Sequence, residues 1–171
     1  AAFGFSMLLQ FDRKISKKLT IISLIFFSCI VMYYLTDFLH SYFVHSPRLY
    51  SEDWQYGYKQ AVAEAERRKN VYDEIYFTNT YGRAYIYVLW YGNYSPVSYW
   101  KKGQVERDVF GFYNVHGFGK YTFTNPRQVR VEKNKKILFI GAPGELPTDA
   151  HKITVVKFLD GKAAFEIGDN Q

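Results

Sequence analysis

The chain has 171 residues, 48% of them hydrophobic and 20% aromatic, with a formal net charge of +6; this is the size of one domain with enough apolar material for an ordinary core. Arg13, Lys14, Lys17 and Lys18 cluster ahead of an apolar segment, and after residue 18 the chain holds 18 basic and 15 acidic side chains, interspersed, so no basic stripe remains for a nucleic-acid backbone. The single cysteine, Cys29, lies inside the apolar segment, which excludes an intramolecular disulfide and a zinc cluster built from thiolates.

The opening residues, AAFGFSMLLQF, are too short to span a bilayer and read as the end of a preceding hydrophobic helix, with FDRKISKK as a short cytoplasmic loop over the remainder of 1–18. That reading expects a C-terminal piece of a longer, polytopic chain. Residues 19–36, LTIISLIFFSCIVMYYLT, carry no charge; at about 1.5 Å per residue they cover roughly 27 Å, the thickness of a hydrocarbon core. A transmembrane helix with an interfacial extension is therefore expected over 19–46, with Tyr33, Tyr34, Tyr42 and Phe43 as its aromatic belt. No small-x-small cleavage site follows, which argues for a retained anchor over a signal peptide. The lysines and arginines in front of the helix place its leading end in the cytoplasm and residues 47–171 in an extracytoplasmic domain of the cell membrane.

Pro47 stops the helix. Ser51, followed by Glu52 and Asp53, reads as an N-cap with first-turn acids, and Trp54, Tyr58, Ala61, Val62 and Ala65 recur at helical spacing before Arg67, Arg68 and Lys69, which predicts a helix over 52–69. A buried strand is expected at 73–78. Asn79 or Thr80 then caps a second helix, with Tyr81, Tyr85, Val88 and Leu89 on one face and Gly92 at its end. Pro96 opens a helical turn through Lys101, and a strand is expected around 107–113. Strands follow at 120–124 and 135–141, and residues 152–167 form a hairpin whose Asp160-Gly161 pair suits a type I′ turn. The order of elements predicts an α/β or α+β layered domain after one transmembrane helix.

Candidate sites are few. His40 and His45 flank the expected interface, and His116 and His151 are isolated in sequence, with no HExxH or paired metal-ligand spacing. GAPGELP (141–147) has glycines at a strand end but lacks the Lys-Ser/Thr of a phosphate loop, so it reads as a plain connection. Adjacent carboxylates such as Glu52/Asp53 and Asp73/Glu74 do not point together from a helix or a strand, so no catalytic pair is expected. NTYGRAY (79–85) is the sharper candidate: a strand delivers Asn79, Tyr81 and Arg83 to a helix start, where ligands of α/β sheets sit. Trp54, Tyr56, Trp90 and Trp100 are near in sequence and could supply stacking faces for a sugar or peptide; the competing reading is that these aromatics fill the core or rest on the membrane.

The run YSEDWQYGYKQAVAEAERRKNVYDEIYFTNTYGRAYIYVLWY (50–91) resembles the extracytoplasmic C-terminal tail of bacterial membrane glycosyltransferases related to dolichyl-phosphate-mannose protein mannosyltransferases, of the GT-C superfamily. The similarity is carried by Asp53 to Tyr58, by Phe77 to Gly82, and by LDGKAAFEI (159–167), where Leu159 stands in place of the usual proline. It implies a parent enzyme that moves a sugar from a polyprenyl-phosphate carrier to an acceptor on the outer side. The catalytic acidic residue and any divalent metal would belong to the parent, so this resemblance implies no catalytic residue, metal ligand or cofactor here. Asn79, Tyr81, Arg83 and Trp54 are the expected contacts to acceptor or carrier, and the bilayer is the expected partner. The alternative is a non-enzymatic, membrane-anchored binding or assembly domain.

Overall fold

The computed structural model describes residues 16–107, 109–130 and 134–171. The expected end of a preceding span, with Arg13 and Lys14, lies outside them. The chain divides into two compact units at Pro47 and Arg48.

The first unit is dominated by helix α1 (Lys17–His40), which runs on through a π-helical turn (Ser41–His45) and a last α turn (Ser46–Leu49). None of its residues is buried, and Phe26, Phe27, Tyr33 and Tyr34 are exposed on different sides. A helix apolar all round suits an apolar solvent, and by length and composition this one fits a transmembrane helix or a signal sequence. Thr36 donates its Oγ1 hydrogen to the Met32 carbonyl at 2.7 Å, so even its hydroxyl is satisfied within the helix.

The second unit is a mixed α/β domain. Its elements are α2 (Tyr58–Arg68), β1 (Glu74–Phe77), α3 (Ala84–Tyr91), α4 (Pro96–Lys102), β2 (Gln104–Arg107), β3 (Tyr113–Phe118), β4 (Tyr121–Phe123), β5 (Ile137–Gly141), β6 (His151–Lys157) and β7 (Ala163–Asp169). The seven strands form one sheet in the order β2-β3-β4-β1-β5-β7-β6. β1 is parallel to both β4 and β5, and every other pairing is antiparallel.

Alternation along β1 explains how the sheet is covered. Ile75 and Phe77 join Leu138, Ile140, Phe165 and Ile167 in a core shared with Tyr58, Ala61, Val62 and Ala65 of α2 and Ala84 and Val88 of α3. Ile137 and Phe139 are equally buried but stand opposite Glu74 and Tyr76, on the other face, since successive strand residues point to opposite sides. Connections cover that face: Leu146 lies over Gly168, and Pro126 of a 3-10 turn is buried. β5 is buried on both sides, which is why its sequence ILFIG shows no alternation.

Several expectations are corrected. The 52–69 helix starts only at Tyr58, because Gln55 (φ 54°) and Gly57 (φ 105°) take left-handed conformations that no helix continues through. Ser51 therefore caps nothing; it is buried, and its hydroxyl donates to the Arg48 carbonyl at 3.1 Å. Trp54, expected on the helix's apolar face, is 78% exposed. The second helix begins at Ala84 without a side-chain cap, so neither Asn79 nor Thr80 caps it. The strand expected at 107–113 straddles the turn between β2 and β3. The β6–β7 turn is not type I′, which needs positive φ at both central residues: only Gly161 (φ 91°) is left-handed. Gly161 N–H donates to the Phe158 carbonyl (3.0 Å) and Phe158 N–H to the Lys162 carbonyl (2.8 Å), a type I turn closed by a glycine bulge.

Aromatic rings form the centre of the core. Tyr58 is 1% exposed, stacks on Tyr87 at 4.1 Å and on Phe77 at 5.8 Å, and meets the edge of Phe165 at 4.9 Å. Burial, reinforced by the neighbouring Tyr87 and Tyr81, raises its hydroxyl well above the ordinary phenol range. That hydroxyl has no hydrogen-bond partner among the described residues, and an unpaired buried hydroxyl costs about 1–3 kcal/mol. Tyr58→Phe should keep the stack and leave stability unchanged or raise it by about 1 kcal/mol, as measured by denaturant unfolding of the full chain in detergent; a loss of stability would show that the hydroxyl is paired. Gly57→Ala should act the other way. A Cβ there would lie 3.2 Å from the Ala164 Cβ in a backbone conformation L residues rarely adopt, so a loss of about 1–3 kcal/mol is expected in the same assay.

Candidate functional site

The three parallel strands β4, β1 and β5 end on the same side of the sheet, and one carboxylate ties their exits together. Glu145, just after β5, accepts through Oε1 from the Thr80 hydroxyl and from Asn125 Nδ2 (3.0 Å), and through Oε2 from the Ala142 N–H (2.9 Å). Thr80 follows β1, and Asn125 follows β4. Arg127 adds a bond to the Gly144 carbonyl at 3.3 Å. The GAPGELP loop is thus a closed connection: its Ala142 N–H is taken by Glu145 and its Gly144 N–H by Glu166 (3.1 Å). Carboxylates occupy the donors that an anion would need.

Beside this clamp lies an open cleft of about 350 Å³. Asn79, from the exit of β1, and Arg83 and Tyr85, from the start of α3, form one wall; Asn114 and His116 of β3 and Phe123 of β4 form another. Tyr85 meets Phe123 edge-on at 6.5 Å. The Arg83 guanidinium lies 4.8 Å over the Phe112 ring, which fixes its direction while leaving its donors available at the surface. His116 Nε2 is 3.1 Å from Glu106 Oε2. The cleft therefore offers two amides, a guanidinium and two aromatic rings, with the His116 imidazole already paired to Glu106, and among the described residues no carboxylate belongs to its lining. A larger cleft, about 440 Å³, runs between α2 and the edge strand β6, lined by Gln60, Thr154 and Lys157 and by Glu64, which is paired with Arg67 at 2.8 Å.

Of the four residues expected to contact ligand, Asn79 and Arg83 line the cleft together. Tyr81 does not. Its ring packs edge-on against Phe165 (5.4 Å) and Phe158 (5.9 Å), and its carbonyl accepts from Gln55 Nε2 at 2.6 Å while Gln55 Oε1 accepts from the Tyr87 hydroxyl at 2.6 Å. Burial, with the Glu52 and Glu145 carboxylates adding to it, raises the Tyr81 hydroxyl above its ordinary range. Trp54 is exposed and lines neither cleft. Asn114 and His116 were missed; they are two apart on one face of β3, a pairing visible in YNVHGF once that segment is recognised as a strand. His151 is exposed, with Nδ1 3.9 Å from Asp169 Oδ1. Among the described residues no group of three or more His, Cys, Asp or Glu could hold a metal ion. Comparison of the chain with protein families, with curated proteins and with solved structures gives no match.

Two ion-paired carboxylates of the domain, Glu166 near the loop clamp and Glu74 at the far end of β1, set its acid response. Glu166 is held below the usual carboxylate range by its bond to Lys152 (2.5 Å), with the Gly144 N–H contributing, and Glu74 likewise by Lys135 (2.7 Å). A depressed folded-state pKa contributes stability that is present above the unfolded value of about 4.3 and is lost as pH falls through the folded value. The denaturation midpoint should therefore drop between about pH 5 and pH 3. Glu166→Gln should flatten that drop at a cost near neutrality of about 1 kcal/mol or less; a pH profile superimposable on the parent's would show that Glu166 does not couple to folding.

Proposed function

We propose that this chain is the C-terminal part of an integral membrane glycosyltransferase that moves a sugar from a polyprenyl-phosphate carrier to an acceptor on the extracytoplasmic side, and that residues 48–171 are its acceptor- or carrier-positioning domain. The observation that carries the positioning role is the lining of the cleft. Amides and a guanidinium recognise hydroxyls and phosphate, aromatic edges and faces recognise the apolar side of a sugar ring, and the Glu106 carboxylate beside the lining is paired with His116.

Two further points support the reading. The segments that carry the resemblance lie far apart in sequence yet meet in one cluster: Gln55 bonds Tyr81, the Gly57 backbone approaches Ala164, and the Tyr81 ring packs on Phe165. They thus specify one structural unit. The uninterrupted apolar helix with Lys17 and Lys18 at its start suits a span whose leading end is cytoplasmic, which would place the cleft outside. The chemistry itself is assigned to the parent enzyme, with any divalent metal there.

A second reading, a membrane-anchored domain that binds a glycan or a partner without transfer, is favoured by the same lining, because binding needs no general acid. In the full-length protein, Asn79→Ala with Arg83→Ala should lower sugar transfer about tenfold, through loss of one or two hydrogen bonds to a charged or polar ligand. Unchanged transfer with lost glycan binding would select the second reading; unchanged transfer and unchanged binding would remove the cleft from both.

A further inference from the structure

Among the described residues Arg83 has no hydrogen-bond or carboxylate partner; its guanidinium lies 4.8 Å over the Phe112 ring. Other guanidinium groups of the domain are engaged by internal acceptors, Arg67 and Arg68 by Glu64 and Arg127 by the Gly144 carbonyl. The side-chain amides of Asn79 and Asn114, which line the cleft with Arg83, are likewise without a described partner.

One carboxylate is placed to neutralise that guanidinium, and it is engaged elsewhere. Glu106 of β2 is the register partner of Asn114. Phe112, just before β3, Asn114 and His116 follow at intervals of two and so share one face of extended backbone. The diagonal neighbours of Glu106 are therefore Phe112, which lies under Arg83, and His116. Its carboxylate takes the His116 side, with Oε2 3.1 Å from Nε2. Arg83 is left as a cationic end to the cleft, with two amides beside it.

We propose that the cleft binds a monosaccharide carrying an anionic group, with the anion on Arg83 and sugar hydroxyls on Asn79 and Asn114, and that His116 is a positioning residue that keeps Arg83 free by holding Glu106. A guanidinium oriented by a ring presents a planar fork to paired anionic oxygens. Tyr85 and Phe123, edge-on at 6.5 Å, offer apolar surface to the ring, and a volume of about 350 Å³ lies at the small end of ligand sites, which suits one sugar unit. This rests on the reading that the cleft binds a sugar-bearing ligand and goes beyond it in requiring charge. The same chemistry is met in the phosphate ester of a carrier-linked sugar and in a uronic acid unit of an acceptor.

The full chain in detergent is titrated at one ionic strength with glucose 1-phosphate, glucuronic acid, glucose and inorganic phosphate, and binding is read by ligand-observed NMR. An acidic sugar should bind about tenfold tighter than glucose or inorganic phosphate, the factor a charge-assisted pair contributes. Tighter glucose 1-phosphate selects the carrier ester, and tighter glucuronic acid an acidic acceptor. Arg83→Gln should erase the preference over glucose, and Arg83→Lys should keep part of it. His116→Ala should weaken the acidic sugar severalfold by releasing Glu106 to Arg83, and adding Glu106→Gln should restore it, a rescue that a merely structural His116 would not give. Equal binding of glucose and the acidic sugars overturns the charge requirement and leaves a glycan cleft standing, whereas binding of no sugar overturns both. Inorganic phosphate binding as tightly as the acidic sugars marks an adventitious ion only and overturns the proposal. Unchanged affinity in His116→Ala, or no rescue by Glu106→Gln, overturns the positioning role.

Discussion

Three loops leave the parallel strands of this domain, and the Glu145 carboxylate holds all of them. Its bonds to Thr80, Asn125 and the Ala142 N–H fix the exits of β1, β4 and β5 relative to one another. Parallel strands cannot be joined by tight turns, so their exits are otherwise free to splay. Charge-assisted hydrogen bonds to a half-buried carboxylate are among the stronger polar contacts available to a small domain. Because Asn79 lies between Thr78, whose N–H bonds the Ile140 carbonyl, and Thr80, this carboxylate helps to set the wall of the cleft formed at the β1 exit.

A second constraint works from the opposite side of the same loop. Gly57 brings its backbone against Ala164 and Phe165, and Gln55, held in a left-handed conformation, bridges the Tyr81 carbonyl and the Tyr87 hydroxyl. Strained residues of this kind persist where their surroundings over-determine them. Here the surroundings are the Tyr58, Tyr87, Phe77 and Phe165 rings. The 79–83 segment is therefore pinned through its backbone, which frees the side chains of Asn79 and Arg83 to face the cleft while Tyr81 is drawn into the core.

The abundant aromatics thus divide by environment. Rings on α2, α3, β1, β3, β4 and β7 pack with one another within the core, Phe118 of β3 among them; Phe110, Phe112 and Tyr113 do not join it, and neither do Trp54, Trp90 and Trp100. Sequence reading left both destinations open, filling the core or resting on a membrane. Composition is the same in the two cases, and only the neighbours differ.

Local pattern was sufficient for several elements. The charge-free run after Lys18, the α2 positions Tyr58, Ala61, Val62 and Ala65, strands β1 and β5, and the hairpin centred on Gly161 were all legible, because each depends on periodicity or turn chemistry within a dozen residues. What was not legible depended on partners distant along the chain. Nothing near Ser51 announces that Gly57 must approach Ala164, so the helix start was placed too early. Nothing near Glu145 announces Thr80 and Asn125, and Asn114 and His116 reach Asn79 and Arg83 only after β3 and β4 have paired beside β1. The sequence by itself thus determined where apolar surface lies and the type of most of its elements, since those follow from nearest-neighbour chemistry. The tertiary structure alone decided which polar side chains share a cleft and which aromatic rings stay outside, since strand order is settled by long-range pairing that no local pattern encodes.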